Sequence, residues 1–165
     1  MQLSFKTESK EFDSAVQEYR IIWEEEGEKI LKVFERVTTR SFQQEGIDVI
    51  VYEGPSFSGS INKPMMLRAS YPKDVKKATL IHELGHRLIE PLHVRIEGID
   101  EHQTLNLFLY DVWVDLYGID FANAMVSVER ERKGLYDYDF AWNWFTTLTK
   151  ERRRSLWVQI LKLNS

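Results

Sequence analysis

The stretch KDVKKATLIHELGHRLIE, residues 73–90, decides how this chain reads. It follows Tyr71-Pro72, a pair that suits a helix start because proline's missing N–H costs nothing in the first turn. It ends before Pro91, and Leu80, Ile81, Leu84 and Leu88 recur at helical spacing. A helix over residues 73–90 is therefore expected. Four residues advance a helix by about 400°, so His82 and His86 project from one face, one turn apart. That separation lets two imidazoles hold one tetrahedral Zn²⁺ at about 2.0–2.1 Å each. Glu83 lies about 100° round from His82, beside such an ion rather than on it, where it can accept a proton from metal-bound water. The plainer alternative, a pair of solvated surface histidines, has to contend with the apolar opposite face, which ties the segment to a core.

Outward from this helix the chain alternates strand and helix signals. Residues 2–6 alternate, Leu3 and Phe5 against Ser4 and Lys6, as a short strand does. Asp13 or Ser14 can cap a helix running to about Thr38, whose stripe of Val16, Tyr19, Ile22, Trp23, Ile30, Val33, Phe34 and Val37 is broken only by Glu26. Residues 47–52 form a β-branched strand, 53–64 a Gly/Ser/Pro-rich loop, and 65–69 a weaker strand expected to pair with 47–52. A second apolar helix covers 101–117 and stops at Gly118, and 120–132, 139–149 and 150–163 read as further helices. This order implies one α+β domain over residues 1–165. Its sheet, of three strands or more, packs on an N-terminal helix, with a helical C-terminal tail.

Composition sets bounds on chemistry. The 165 residues are 43% hydrophobic and 29% charged, enough for one sizeable core. Five Trp, seven Tyr and nine Phe along the chain exclude collagen-like, coiled-coil and mainly disordered readings. There is no cysteine, so disulfides, thiolate zinc sites and iron–sulfur clusters are excluded, and a metal must use His, Asp, Glu or backbone oxygen. The net charge of −4 and the lack of a long basic patch argue against a nucleic-acid partner. Arg152, Arg153 and Arg154 read as the solvated face of the last helix. Trp142, Trp144, Phe145 and Trp157 read as core. Neither a signal peptide nor a membrane span is visible, so the expected address is the cytoplasm, with no membrane partner. Oligomeric state is not legible.

The helix over 101–117 carries a second cue. Asp111 and Asp115 share a face four residues apart, embedded among Leu107, Phe108, Leu109, Val112, Trp113, Val114 and Leu116. Two carboxylates on one buried face need a cation or strong donors. A metal with its histidines supplies both: one carboxylate can ligate and the other can accept a histidine N–H. Alternatively both meet arginines such as Arg87 or Arg95.

HELGH, 24 intervening residues and then DVWVDLYG resemble the gluzincin zinc peptidases, the thermolysin-like class, over about residues 60–118. The short chain resembles the minigluzincins, and the resemblance implies a zincin-like fold. It further implies that His82, His86 and Asp111 bind zinc, that Glu83 is the general base, and that Asp115 orients His82. One departure stands out: position 111 is Asp, where the family has a longer Glu, so His102, Asp115, Glu97 and His93 remain alternative third ligands. The Gly-Thr-x-Asp signature of the aspartate-ligand zinc peptidases is absent.

The activity implied is hydrolysis of a protein or peptide substrate by a zinc metalloendopeptidase. His102, His93, Tyr117 and Tyr110 are candidate oxyanion donors, and the sequence does not choose. The strand over 65–69 could pair with substrate as a sheet edge, with loop 53–64 as a flap and Phe57 as a contact or a packing residue. The reading from another class is a non-proteolytic zinc-binding protein, its site closed by a fourth ligand such as His102 or His93.

Overall fold

Alternating β-branched residues build the sheet. The computed structural model describes residues 1–93, 96–134 and 136–165. In it β1 (Gln2–Lys6), β2 (Gly46–Tyr52) and β3 (Met65–Arg68) lie in the order β1-β2-β3. Both pairings are parallel, with Leu3 opposite Ile47 and Val49 opposite Met65. Parallel neighbours require a crossover. Between β1 and β2 it is helix α1 (Asp13–Thr38); between β2 and β3 it is the loop of residues 53–64. Ile47, Val49, Val51, Met65 and Leu67 are buried, and Tyr19 of α1 stacks on Phe5 and donates to the Arg68 carbonyl.

Two expectations change here. Neither Asp13 nor Ser14 caps α1: a 3₁₀ turn, Lys10–Phe12, runs straight into it, and no side chain caps its first turn. The outer edge of β3 is not free either. Phe57 pairs antiparallel with Met66, through N–H···O bonds of 3.0 and 2.9 Å in the two directions.

The remaining elements are α2 (Lys73–Ile89), α3 (Glu101–Tyr117), α4 (Ile119–Arg130), α5 (Tyr138–Thr146) and α6 (Lys150–Leu163). Asp100 and Gln103 form a reciprocal capping box at the start of α3, and Gly118, at φ 91°, ends it. α3 touches all five other described helices, which explains why it is apolar on nearly every side. Trp142, Phe145 and Trp157 are core, while Trp144 is half-buried. Among the described residues the fold is α+β, six α-helices with a small parallel sheet. None of these helices is long and apolar enough to cross a membrane.

Candidate metal centre

Two helices bring three imidazoles together. His82 and His86 stand one turn apart on α2, as the spacing requires, and His102 comes from the first turn of α3. One ligand atom from each lies within 4.8 Å of the other two, so the cluster can hold a metal ion. His82 is 1% exposed and His86 9%, while His102 is half-buried. His82 Nε2 and His86 Nε2 face each other at 3.1 Å. Two nitrogens each about 2.0–2.1 Å from a tetrahedral ion stand about 3.3 Å apart, so this pair is already close to ligand geometry.

The opposite ring nitrogens face carboxylates. His86 Nδ1 is 2.7 Å from Glu101 Oε1, and His82 Nδ1 is 2.7 Å from Glu129 Oε1 as a close ion-pair contact rather than an aligned hydrogen bond. A carboxylate only accepts, so each Nδ1 carries the proton and each Nε2 presents a lone pair to the other. Two facing lone pairs repel unless a proton or a metal cation lies between them. This is the observation on which the residues present fit a metal ion.

The imidazoles differ in their electrostatics. Burial pulls the His82 pKa down, but the charge and contact of Glu129 outweigh it and leave the imidazole above its ordinary value, so a metal ion at Nε2 has to displace a proton there. His102 is driven down to about 3, by burial first and then by the two neighbouring imidazoles, so it is neutral with a lone pair to give. Glu129 is 1% exposed; burial raises its pKa, yet His82, Arg132 and the Trp142 N–H hold it down at about 2. Trp142 Nε1 donates to Glu129 Oε2 at 2.9 Å.

A cleft of about 390 Å³ opens on the cluster, lined by Glu83, His86, Glu90, Glu101, His102, Tyr138 and the segment of residues 56–60. Glu83 is 3% exposed, and its carboxylate makes no hydrogen bond among the described residues. Tyr136 stacks on His102 with centroids 3.8 Å apart and donates to both oxygens of Asp100, and Tyr138 stands edge-on to His102 at 4.9 Å. The loop expected as a flap is strapped down: Arg87, 3% exposed, donates to the Ser60 and Lys63 carbonyls, and Glu90 accepts from Ile61 N at 2.8 Å. Gly59 turns there with φ 67°, and a Cβ would stand 2.6 Å from the Pro64 carbonyl.

The acid pair on α3 does not join the imidazoles. Nine residues separate His102 from Asp111, about 13 Å along a helix. Asp111 accepts from Arg153 Nη2 at 3.1 and 3.0 Å and stands 3.2 Å from Lys150 Nζ. Asp115 pairs with Arg36 at 3.0 Å. The acids therefore met basic side chains, though not Arg87, which holds the loop; Arg95 lies outside the described residues. The part expected of Asp115, a carboxylate behind His82, falls to Glu129, and the third imidazole comes from His102. Tyr117 donates to Glu26 and Tyr110 to Asn123 instead of pointing at the site, and His93 and Glu97 are exposed outside the cluster. Arg153 is buried beside Asp111, so only Arg152 and Arg154 of the triplet are solvated.

Sequence reasoning missed Glu129, Tyr136 and Tyr138. Glu129 had a signal: with Ala122 and Met125 it completes a buried i, i+3, i+7 face of α4, and it is the acid on that face. Tyr136 and Tyr138 follow a turn with no spacing that ties them to His82.

Fold and site define an α+β protein with a three-histidine cluster able to bind a metal ion at the floor of a cleft. Comparisons with protein-family models, curated proteins and solved structures return no match.

Proposed function

We propose that the chain is a zinc-dependent peptidase of the HExxH kind, a small zincin-like enzyme with His82, His86 and His102 as its zinc ligands. The observation that carries this reading is Glu83. Its carboxylate has no hydrogen-bond partner among the described residues and lines the cleft shared with His86 and His102, so its oxygens are available to a water held there. A purely structural zinc does not need it. Three protein ligands with an open fourth position also suit a catalytic site better than a closed structural one. Imidazole ligands and hydrolytic chemistry together favour zinc. The resemblance to gluzincins supports the reading through HELGH alone, since Asp111 and Asp115 serve elsewhere.

Zinc at the three imidazoles supplies Lewis acidity toward water and the scissile carbonyl. Glu83 takes the proton of the attacking water and passes it to the leaving amine. Tyr138 keeps its hydroxyl proton, because burial and then the charges of Glu83 and Glu129 push its pKa up to about 12. From the cleft wall that hydroxyl can donate to the carbonyl oxygen as charge develops on it. An extended peptide finds its pairing surface along residues 56–58. Phe57 spends its N–H and C=O on Met66, and Ser56, Phe57 and Ser58 all line the cleft, so the segment continues the sheet to the place where a substrate strand would be added.

The test compares zinc-loaded wild type with Glu83→Gln on a proteome-derived peptide library, reading new N-termini by mass spectrometry. Wild type should cleave. The variant should keep one zinc per chain and lose at least about 100-fold in rate, the usual contribution of a positioned base. Equal cleavage by both removes Glu83 from its role. Zinc in both with cleavage by neither leaves the non-catalytic zinc protein.

A further inference from the structure

One guanidinium joins the back of the cluster to the wall of the cleft. Arg132, two residues beyond the end of α4, has a side chain only 16% exposed. Its Nη2 donates to Thr79 Oγ1 on α2 at 2.9 Å, and Thr79 is fully buried. Its Nη1 stands 3.5 Å from Glu129 Oε1, the same oxygen that faces His82 Nδ1. The flat face of the group lies between the rings of Tyr71 and Tyr138, 5.5 and 5.7 Å from their centroids. Glu129 itself is 1% exposed, and its other oxygen is held by Trp142.

A buried carboxylate keeps its place when opposite charge and donors surround it, and strays or costs stability when one is removed. Glu129 has three such neighbours: Trp142 fixes one oxygen, and His82 and Arg132 share the second. Only Arg132 brings a permanent charge. A histidine bound to metal is neutral, so the guanidinium is then the charged side chain that touches Glu129, beside whatever charge the metal ion itself brings. The guanidinium also packs on Tyr138, the phenol on the cleft wall, so one side chain touches both the carboxylate behind His82 and a ring that lines the cleft.

We propose that Arg132 is a positioning residue of the metal centre: anchored on Thr79, it holds the Glu129 carboxylate against His82 Nδ1 and thereby sets the aim of the His82 Nε2 lone pair. This rests on reading the three imidazoles as metal ligands, but not on peptidase activity. Were Arg132 a filler between two tyrosine rings, its loss would lower stability and leave metal affinity alone.

The test is a zinc titration of the whole chain against a chromophoric chelator, with thermal melts alongside. The proteins are wild type, Arg132→Met, Glu129→Gln and the double variant. Arg132→Met should weaken zinc binding about 10–100-fold, as loss of a group behind a ligand histidine does. In the Glu129→Gln background the same change should cost less than about threefold, because Arg132 acts through Glu129. Affinity within about threefold of wild type in folded Arg132→Met overturns the proposal, and so does an undiminished loss in the Glu129→Gln background. If Arg132→Met does not fold, Thr79→Val removes the anchor alone. It should weaken zinc in the same direction, and an unchanged affinity there is equally fatal. A wild-type chain that takes up no zinc overturns the metal reading itself, a result distinct from one in which wild type binds and the variants bind as well.

Discussion

Glu129 and Asp111 are both acids on buried helix faces, and their partners part them. Glu129 stands 2.7 Å from a cluster histidine, Asp111 about 3 Å from Arg153. The sequence makes plain that a carboxylate among Leu107, Phe108, Val112 and Trp113 needs a cation. It does not say which cation, because Arg153 lies 42 residues further on and only the folded chain brings α6 beside α3. His82, Glu83 and His86 were legible for the opposite reason: their relation is local, fixed by the helix's own period. Two substitutions separate the acids. Glu129→Gln should weaken zinc binding about 10–100-fold while the chain stays folded. Asp111→Asn should leave zinc affinity within about twofold and lower stability by about 3 kcal/mol, since it strands the buried Arg153 charge. Chelator titration and urea unfolding on each protein check both. A large zinc loss in Asp111→Asn with unchanged stability would return that residue to the metal.

At the scale of elements, the site depends on how closely α2 and α3 approach. Gly85, within HELGH, marks that contact: a Cβ there would stand 2.4 Å from Leu105 Cδ1 and 3.6 Å from Phe108 Cε2. Both neighbours are buried, so Leu105 has little room to turn aside. The approach carries His102, three residues before Leu105, to within reach of His82 and His86. Alanine is the better helix former by about 1 kcal/mol, while overpacking a filled core costs about 1–3 kcal/mol. The second effect should win. Gly85→Ala is expected to lower the urea midpoint and to weaken zinc by pushing α3 outward. A midpoint equal to or above wild type would mean that the helices part without strain. The limits of α2 and α3 were legible in proline, glycine and apolar period. Their crossing was not, because a glycine inside a helix pattern looks the same whether it faces solvent or a leucine.

Over the whole molecule, the sheet side and the helical side are tied through one residue that the sequence had marked. Glu26 breaks the apolar stripe of α1, and the fold shows why: it lies 2.6 Å from Lys77 Nζ on α2 and accepts from the Tyr117 hydroxyl at the end of α3. Lys29, one turn on, donates to the Leu116 carbonyl, and both lysines lie over the Tyr117 ring. An α1 that packed on the sheet alone would need no acid there. Burial raises the Glu26 pKa, but the bonds from Lys77 and Tyr117 and the charges of Lys77 and Lys29 outweigh it, so the carboxyl titrates below its ordinary range. A folded-state pKa below the unfolded one means that the ionised acid favours the folded chain. That contribution is complete above the unfolded pKa, near 4.3, and is lost as pH falls through the lower folded value. Glu26→Gln removes it. The variant should be less stable than wild type at pH 7, by about 1 kcal/mol, the upper end for an ion pair that solvent still reaches, since the two side chains are 18% and 17% exposed. As the pH falls toward 3 the two unfolding curves should converge, because the other acids titrate alike in both proteins and cancel in the difference. Urea unfolding of both proteins from pH 7 to pH 3 measures that gap. A gap that stays constant across the range would assign Glu26 a packing role, and a gap that widens on acidification would reverse the sign assigned to its charge.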